Sequence, residues 1–428
     1  MYADAFASPL APQASPRVSN SVSESVIFAL VLGSMLYQMS LCFINTVAFG
    51  VSASLVILVE LFIYLGCLWC LRREVPHYLG AFILLTAINL LLLSLLRGYL
   101  DPKPFRDMMI VILFFWLGWV YGSVRLVNKL IAVSLVLAIL MGAFEWLALD
   151  TYVKFFHTFS YFANQSGIGA GGSGAIFEDQ ALTLNGFRPE GIGRTILPWV
   201  FGSHRISSFF LEPISLGNYA TLVLAWSLAH WRPGERQYLW FMAGCGLLIA
   251  YADSRFGLVV SGLLLATRFL VPRCLLPAFS LAPWLMATLV LIYAVYFFHG
   301  TYSDSFVGRL TRTGFFLGEF SVRDLLGAQS PLKNYGDMGY AYVVSRFGLL
   351  FCLLGWFWLW RLPLSGLPAE RFRAMACLYM TLILSISGTS LFALKSAGLL
   401  WFMFGSLLAC AAHSSSAQSA SVSKDANP

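Results

Sequence analysis

The feature that most restricts this chain is a nearly unbroken apolar run from Val26 to Leu71, followed by a series of further apolar runs down the sequence. A globular core is interrupted by polar surface at every helical turn or every second strand residue, so runs of this length have no soluble solution. A helix needs about 20 apolar residues to cross hydrocarbon, where its internal hydrogen bonds are the only way to satisfy the backbone. Composition agrees: only 11% of the 428 residues are charged and 59% are hydrophobic. Soluble proteins carry roughly 25% charged residues.

The pattern predicts an all-α polytopic integral membrane protein of about twelve transmembrane helices. The spans read Val26 to Val47, Val51 to Leu71, Tyr78 to Leu96, Met108 to Val124, Leu130 to Leu149, Ile214 to Trp231, Tyr238 to Ala252, Gly257 to Val271, Leu281 to Phe298, Gly339 to Trp360, Met375 to Phe392 and Ala397 to Ala412. The first two are divided around Gly50. Residues 1–24 and 413–428 read as disordered tails, and two long loops cover residues 150–213 and 300–338. Basic residues at alternate connections (Arg72 and Arg73, Arg125 and Lys129, Arg232 and Arg236, Arg268 and Arg273, Arg361, Arg371 and Arg373) place both termini in the cytoplasm. Both long loops then lie on the outer face, with shorter turns near Leu100, Arg255 and Lys395.

Several functions are excluded or unsupported at this level. A net charge of +7 is too small and dispersed for nucleic-acid binding. The eight cysteines lie in or beside apolar runs, so neither a disulfide framework nor a redox role for Cys67 and Cys70 is indicated. The six histidines show no metal-ligand spacing, and no cofactor or metal is expected. Gly167, Gly169 and Gly172 satisfy a dinucleotide-type glycine pattern without the preceding strand it requires.

Within the spans Glu60 and Glu145 are the main charged exceptions, whereas arginine is concentrated at the outer face. Its rigid fork binds phosphate oxygens through paired charge-assisted bonds. The alternative is that these arginines pair with Asp and Glu, as the zero charge balance of the second loop allows. In the first loop Arg188, Arg194 and Arg205 stand against Glu190 alone, in a segment rich in Pro, Gly and aromatics that reads as a folded element on the membrane surface.

Three segments carry a family resemblance. RISSFFLEPISLGNYATLVLAW, from Arg205 to Trp226, is similar to the Arg-x-x-x-x-Phe-x-x-Pro core of bacterial polysaccharide polymerases of the Wzy type and the related O-antigen ligases. ADSRFGLVVSGLLL, from Ala252, resembles the family's Ser-Arg segment, and NYGDMGYAYVVSRFGLL, from Asn334, resembles the stretch closing its second long periplasmic loop. The resemblance implies a GT-C-like, metal-independent glycosyltransferase of the bacterial inner membrane. It would use undecaprenyl-diphosphate-linked oligosaccharides as donor and acceptor, beside a flippase and a chain-length regulator of the same pathway. Ligases carry a histidine in the second loop; none lies between Gly300 and Asp337 here, which favours a polymerase. The alternatives are a ligase transferring glycan to lipid A core or protein, and a flippase for lipid-linked oligosaccharide.

Breaking an anomeric bond to diphosphate requires cations at the leaving oxygen. Arg205 and Arg255 are the first candidates, then Arg188, Arg194 and Arg312; each could instead anchor a loop. Glu212 and Asp337 are candidate general bases toward the acceptor hydroxyl, or else partners holding an arginine in place, while Asp253 reads as an orienting partner of Arg255. Tyr219, Tyr335 and Tyr340 could stack on sugars or simply anchor at the interface.

Overall fold

The computed structural model describes residues 22–71, 75, 77–166, 194–298, 306–333, 335, 338–386 and 388–425. Among them there is no strand. The helices are α1 (Glu24–Val47), α2 (Ala53–Cys70), α3 (His77–Arg97), α4 (Pro102–Tyr121), α5 (Val124–Leu147), α6 (Leu149–Phe155), α7 (Thr158–Ser166), α8 (Pro198–Phe201) and α9 (Pro213–His230). They continue as α10 (Arg236–Ala252), α11 (Arg255–Leu270), α12 (Ala282–Ile292), α13 (Phe306–Gly318), α14 (Val322–Leu325), α15 (Gly339–Phe347), α16 (Leu349–Arg361), α17 (Leu367–Leu384) and α18 (Leu394–Asp425).

Among the described residues, seven helical segments are long and apolar enough to cross a membrane: α1 to α5, residues 273–297 around α12, and residues 394–411 of α18. An eighth is the pair α15 and α16, bent by 105°. The twelve expected spans are therefore not all of one kind. Helices α9, α10, α11 and α17 stand where the sequence places them, but the first and last are too polar and the middle two, at 17 and 16 residues, too short to qualify. For α9 the reason is its position. Nearly every residue is buried, polar Asn218, Thr221 and Ser227 included, so it packs against protein all round and needs no lipid-facing apolarity.

The closest helix packing joins α4 to α18. Gly398 meets Phe114, Gly118 meets Phe402, and Gly122 meets Ser406, so the two helices run parallel with their N-termini at one face. Glycines at 118 and 405 let backbones approach so nearly that a Cβ would strike the opposing carbonyl. In that register Lys395 lies level with Val111, about one helical turn, roughly 6 Å, beyond Asp107.

The break between α15 and α16 falls at Gly348, whose φ of 78° is accessible to glycine and strained for other residues. The carbonyls exposed there are collected by one side chain: Arg97 donates from Nε to Gly327 O (2.7 Å) and from Nη2 to Ser345 O and Arg346 O (3.0 and 2.8 Å). The C-terminal reading also changes. The backbone stays helical through Asp425, where residues 413–428 read as a tail; alanines at 411, 412, 417 and 420 favour the helix.

Candidate functional site

The structure brings together the ends of the bundle that the sequence map assigns to one face: the start of α4, the 194–212 segment, and the starts of α9, α11 and α18. Two polar assemblies occupy this region, and they use their charges differently.

The first fixes the 194–208 segment. Arg194 is buried and donates from Nε to Ile196 O (3.0 Å), from Nη1 to His204 O (2.8 Å), and from Nη2 to Tyr251 O (2.9 Å) and Ala250 O. Asp253, fully buried with a left-handed φ of 47°, accepts from Thr195 N, Thr195 Oγ1 and Ile196 N at 2.7 to 3.0 Å. Glu145 accepts from the amides of Ser207 and Ser208, with His204 Nε2 at 3.5 Å. One intramembrane acid expected to be exceptional is thus a loop anchor. Arg205 is half-buried and its Nε donates to Ala252 O at 3.0 Å, while Arg255 is exposed with one long bond to Thr195 Oγ1 at 3.4 Å. Ser254 packs on Gly217, one turn into α9, where a Cβ would lie 2.5 Å from Ser254 Oγ. That contact seats the beginning of α11, and with it Arg255, against the beginning of α9.

The second assembly is a crevice among α1, α2, α4, α7, α9 and α18. Lys395, only 3% exposed, donates to Glu212 Oε2 (2.7 Å), Gln38 Oε1 (2.9 Å) and Phe210 O (3.0 Å). Glu212 is enclosed by protein, yet 32% of its side chain stays accessible, so it lines an open crevice. Its Oε2 also accepts from Ser215 Oγ at 2.8 Å, whereas Oε1 has no partner among the described residues. Burial pushes the Glu212 carboxyl up, but the Lys395 charge and the two hydrogen bonds outweigh it and hold the group below its ordinary value of 4.5. Beside this pair Tyr37 donates to Glu60 Oε1 at 2.7 Å. Arg106, 40% exposed, pairs with buried Asp107 at 2.8 Å, and Asp107 Oδ2 accepts from Tyr342 at 2.6 Å. Tyr64 and Tyr161 each bury a phenol oxygen that has no hydrogen-bond partner among the described residues. An orphaned buried hydroxyl costs about 1–3 kcal/mol, and two beside one crevice mark it as a place for a polar ligand or water.

Of the residues singled out from sequence, Glu212, Arg205 and Arg255 are gathered at this end of the bundle. Arg194 is there too, but its guanidinium is committed to four carbonyls, so the phosphate role expected of it gives way to a backbone clamp. Tyr219 is fully buried with its hydroxyl 2.6 Å from Ser134 Oγ, and buried Tyr340 donates to Thr381 O at 3.0 Å. Both are packing residues without a face for a sugar. Tyr335 is buried and donates to Asp324, the capping carboxylate of α14. Arg312, half-buried on α13, lies over Phe316 at 5.4 Å. Arg188 and Asp337 lie outside the described residues.

Sequence reasoning missed Lys395, Arg106 and Gln38 as site members. The available signal was an ionisable residue inside an apolar run, by default a functional position. Glu60 was noticed on that ground, but its partners lie on other helices.

Compared with protein-family models, with curated proteins and with solved structures, the chain matches none.

Proposed function

We propose that this protein is a metal-independent glycosyltransferase of the Wzy kind, which polymerises undecaprenyl-diphosphate-linked repeat units at the periplasmic face of a bacterial inner membrane. The observation that carries the reading is the crevice: an accessible carboxylate, Glu212, with one open oxygen, paired with Lys395 at the end of an apolar bundle. The acceptor hydroxyl attacks the anomeric carbon as its proton passes to Glu212 Oε1. The anomeric C–O bond breaks, and its electron pair leaves on the diphosphate. Lys395 keeps Glu212 oriented and ionised before attack, and accessible cations, Arg255, Arg205 and Arg106, match the charge gathering on the leaving oxygen. The apolar surfaces of α2 and α3 offer the polyprenyl chain a lipid-side path.

The test is expression in membranes that supply the lipid-linked repeat. Glu212→Gln and Arg255→Ala are expected to leave single repeats on the carrier while the protein inserts normally; unchanged polymer in both variants would sink the mechanism. Long polymer retained on the carrier would identify a ligase, and repeats held in the cytoplasmic leaflet a flippase.

A further inference from the structure

The opposite end of α9 carries a different site. A cavity of about 200 Å³ lies there between the C-terminal ends of α9 and α11 and the start of α17, lined among others by His230, Trp231, Arg232, Arg268 and Arg371. Among the described residues three arginines face it and no carboxylate does. The neighbouring acid, Glu370, is already held through both oxygens by Arg273, at 2.8 and 2.9 Å. Arg268 is fixed by donating Nε to Leu228 O (3.0 Å) and Nη2 to Trp231 O (3.2 Å), capping α9 and leaving Nη1 uncommitted among the described residues. The guanidinium groups of Arg232 and Arg371 make no hydrogen bond or ion pair among the described residues.

Three like charges around a void repel one another, and an anion in the void relieves that repulsion. The guanidinium fork selects phosphate oxygens. The volume is below the roughly 300 Å³ of pockets that enclose a whole small ligand, so it suits a headgroup whose remainder lies elsewhere. Exposed Phe269 and Leu270 adjoin Arg268 and present apolar surface to acyl chains, and Trp231 is of the type enriched at membrane interfaces. We infer that this cavity is a phosphate site occupied by the headgroup of an anionic phospholipid. It depends on no feature of the proposed glycosyl transfer.

Native mass spectrometry of the full chain, titrated with phosphatidylglycerol, phosphatidylcholine or inorganic phosphate, tests it. The wild type is expected to retain phosphatidylglycerol over phosphatidylcholine, and R232Q/R371Q to weaken that retention about thirtyfold, as expected for two lost cationic contacts. R236Q, which removes an arginine outside the cavity lining, is expected to change nothing, and matched thermal melting of all three proteins checks their folding. Equal phosphatidylglycerol retention by wild type and R232Q/R371Q would overturn the site. Displacement of the lipid by millimolar inorganic phosphate, with no preference between the two lipids, would overturn the headgroup assignment in favour of a soluble anion.

Discussion

The clamp around Arg194 and the crevice around Glu212 are both built from basic and acidic side chains at one end of the bundle, yet they differ in what their charges are given to. In the clamp Arg194, Asp253 and Glu145 satisfy backbone groups of an irregular segment that membrane burial would otherwise leave orphaned. In the crevice Glu212 and Arg106 keep 32% and 40% of their side chains accessible after their partners are counted. Residue type alone therefore says little about function here; the distinction lies in whether donors and acceptors are used up.

That difference can be broken by mutation. The largest effect is expected from Arg194→Ala, which strips several carbonyls at once and should cost about 3–5 kcal/mol; thermal melting in detergent measures it, and Arg194→Lys should not restore it because an ammonium lacks the fork. A melting curve unchanged by Arg194→Ala would erase the contrast with the crevice. Next, Gly118→Leu should separate α4 from α18 and destabilise by about 1–3 kcal/mol through overpacking, taking Lys395 out of register with α4. Activity should fall with it.

The apolar runs made the membrane class and the helices at the expected spans readable, because span length is set by bilayer thickness and not by tertiary detail; α6, α7, α8, α13 and α14 stand in the stretches that read as long loops. The number of lipid-exposed spans was less readable. A helix such as α9 is relieved of the apolar requirement by its neighbours, and the sequence of Pro213 to His230 does not say who they are. The site was half readable for a similar reason. Glu212 and Arg255 stand beside local motifs, but the cation that pairs with Glu212 is Lys395, which also binds Gln38 and Phe210 O and reaches them only through helix packing across the whole chain. Tyr219 was misjudged because an aromatic next to a motif looks the same whether it faces a pocket or Ser134.

Smaller effects sharpen the comparison. Because the Glu212 carboxyl is depressed in the folded protein, its stabilising contribution is full above about 4.5, the ordinary value, and is lost as pH falls through the lower folded value. Lys395→Met removes the main depressing charge, so the acid limb of a melting-versus-pH profile should move upward; an unmoved limb would show that Lys395 does not hold that group charged. Smallest in stability is Arg255→Ala, expected within about 0.5 kcal/mol of wild type because the side chain is exposed, while polymer formation is lost. Destabilisation by this variant comparable to that of Arg194→Ala would move Arg255 into the clamp.

The pairing of α18 with α4 has a consequence for biogenesis. The most enclosed of the membrane-length helices follows the others along the chain, and 94% of its membrane window is buried. The helices before it must therefore be inserted around a vacancy, with Glu212 and Gln38 waiting for the Lys395 ammonium. A chain that stops short of residue 394 would present a membrane-inserted shell with its polar seam open to lipid, a substrate for quality-control proteolysis. The crevice is thus completed only once α18 is in place, and until then Glu212 lacks its ammonium partner.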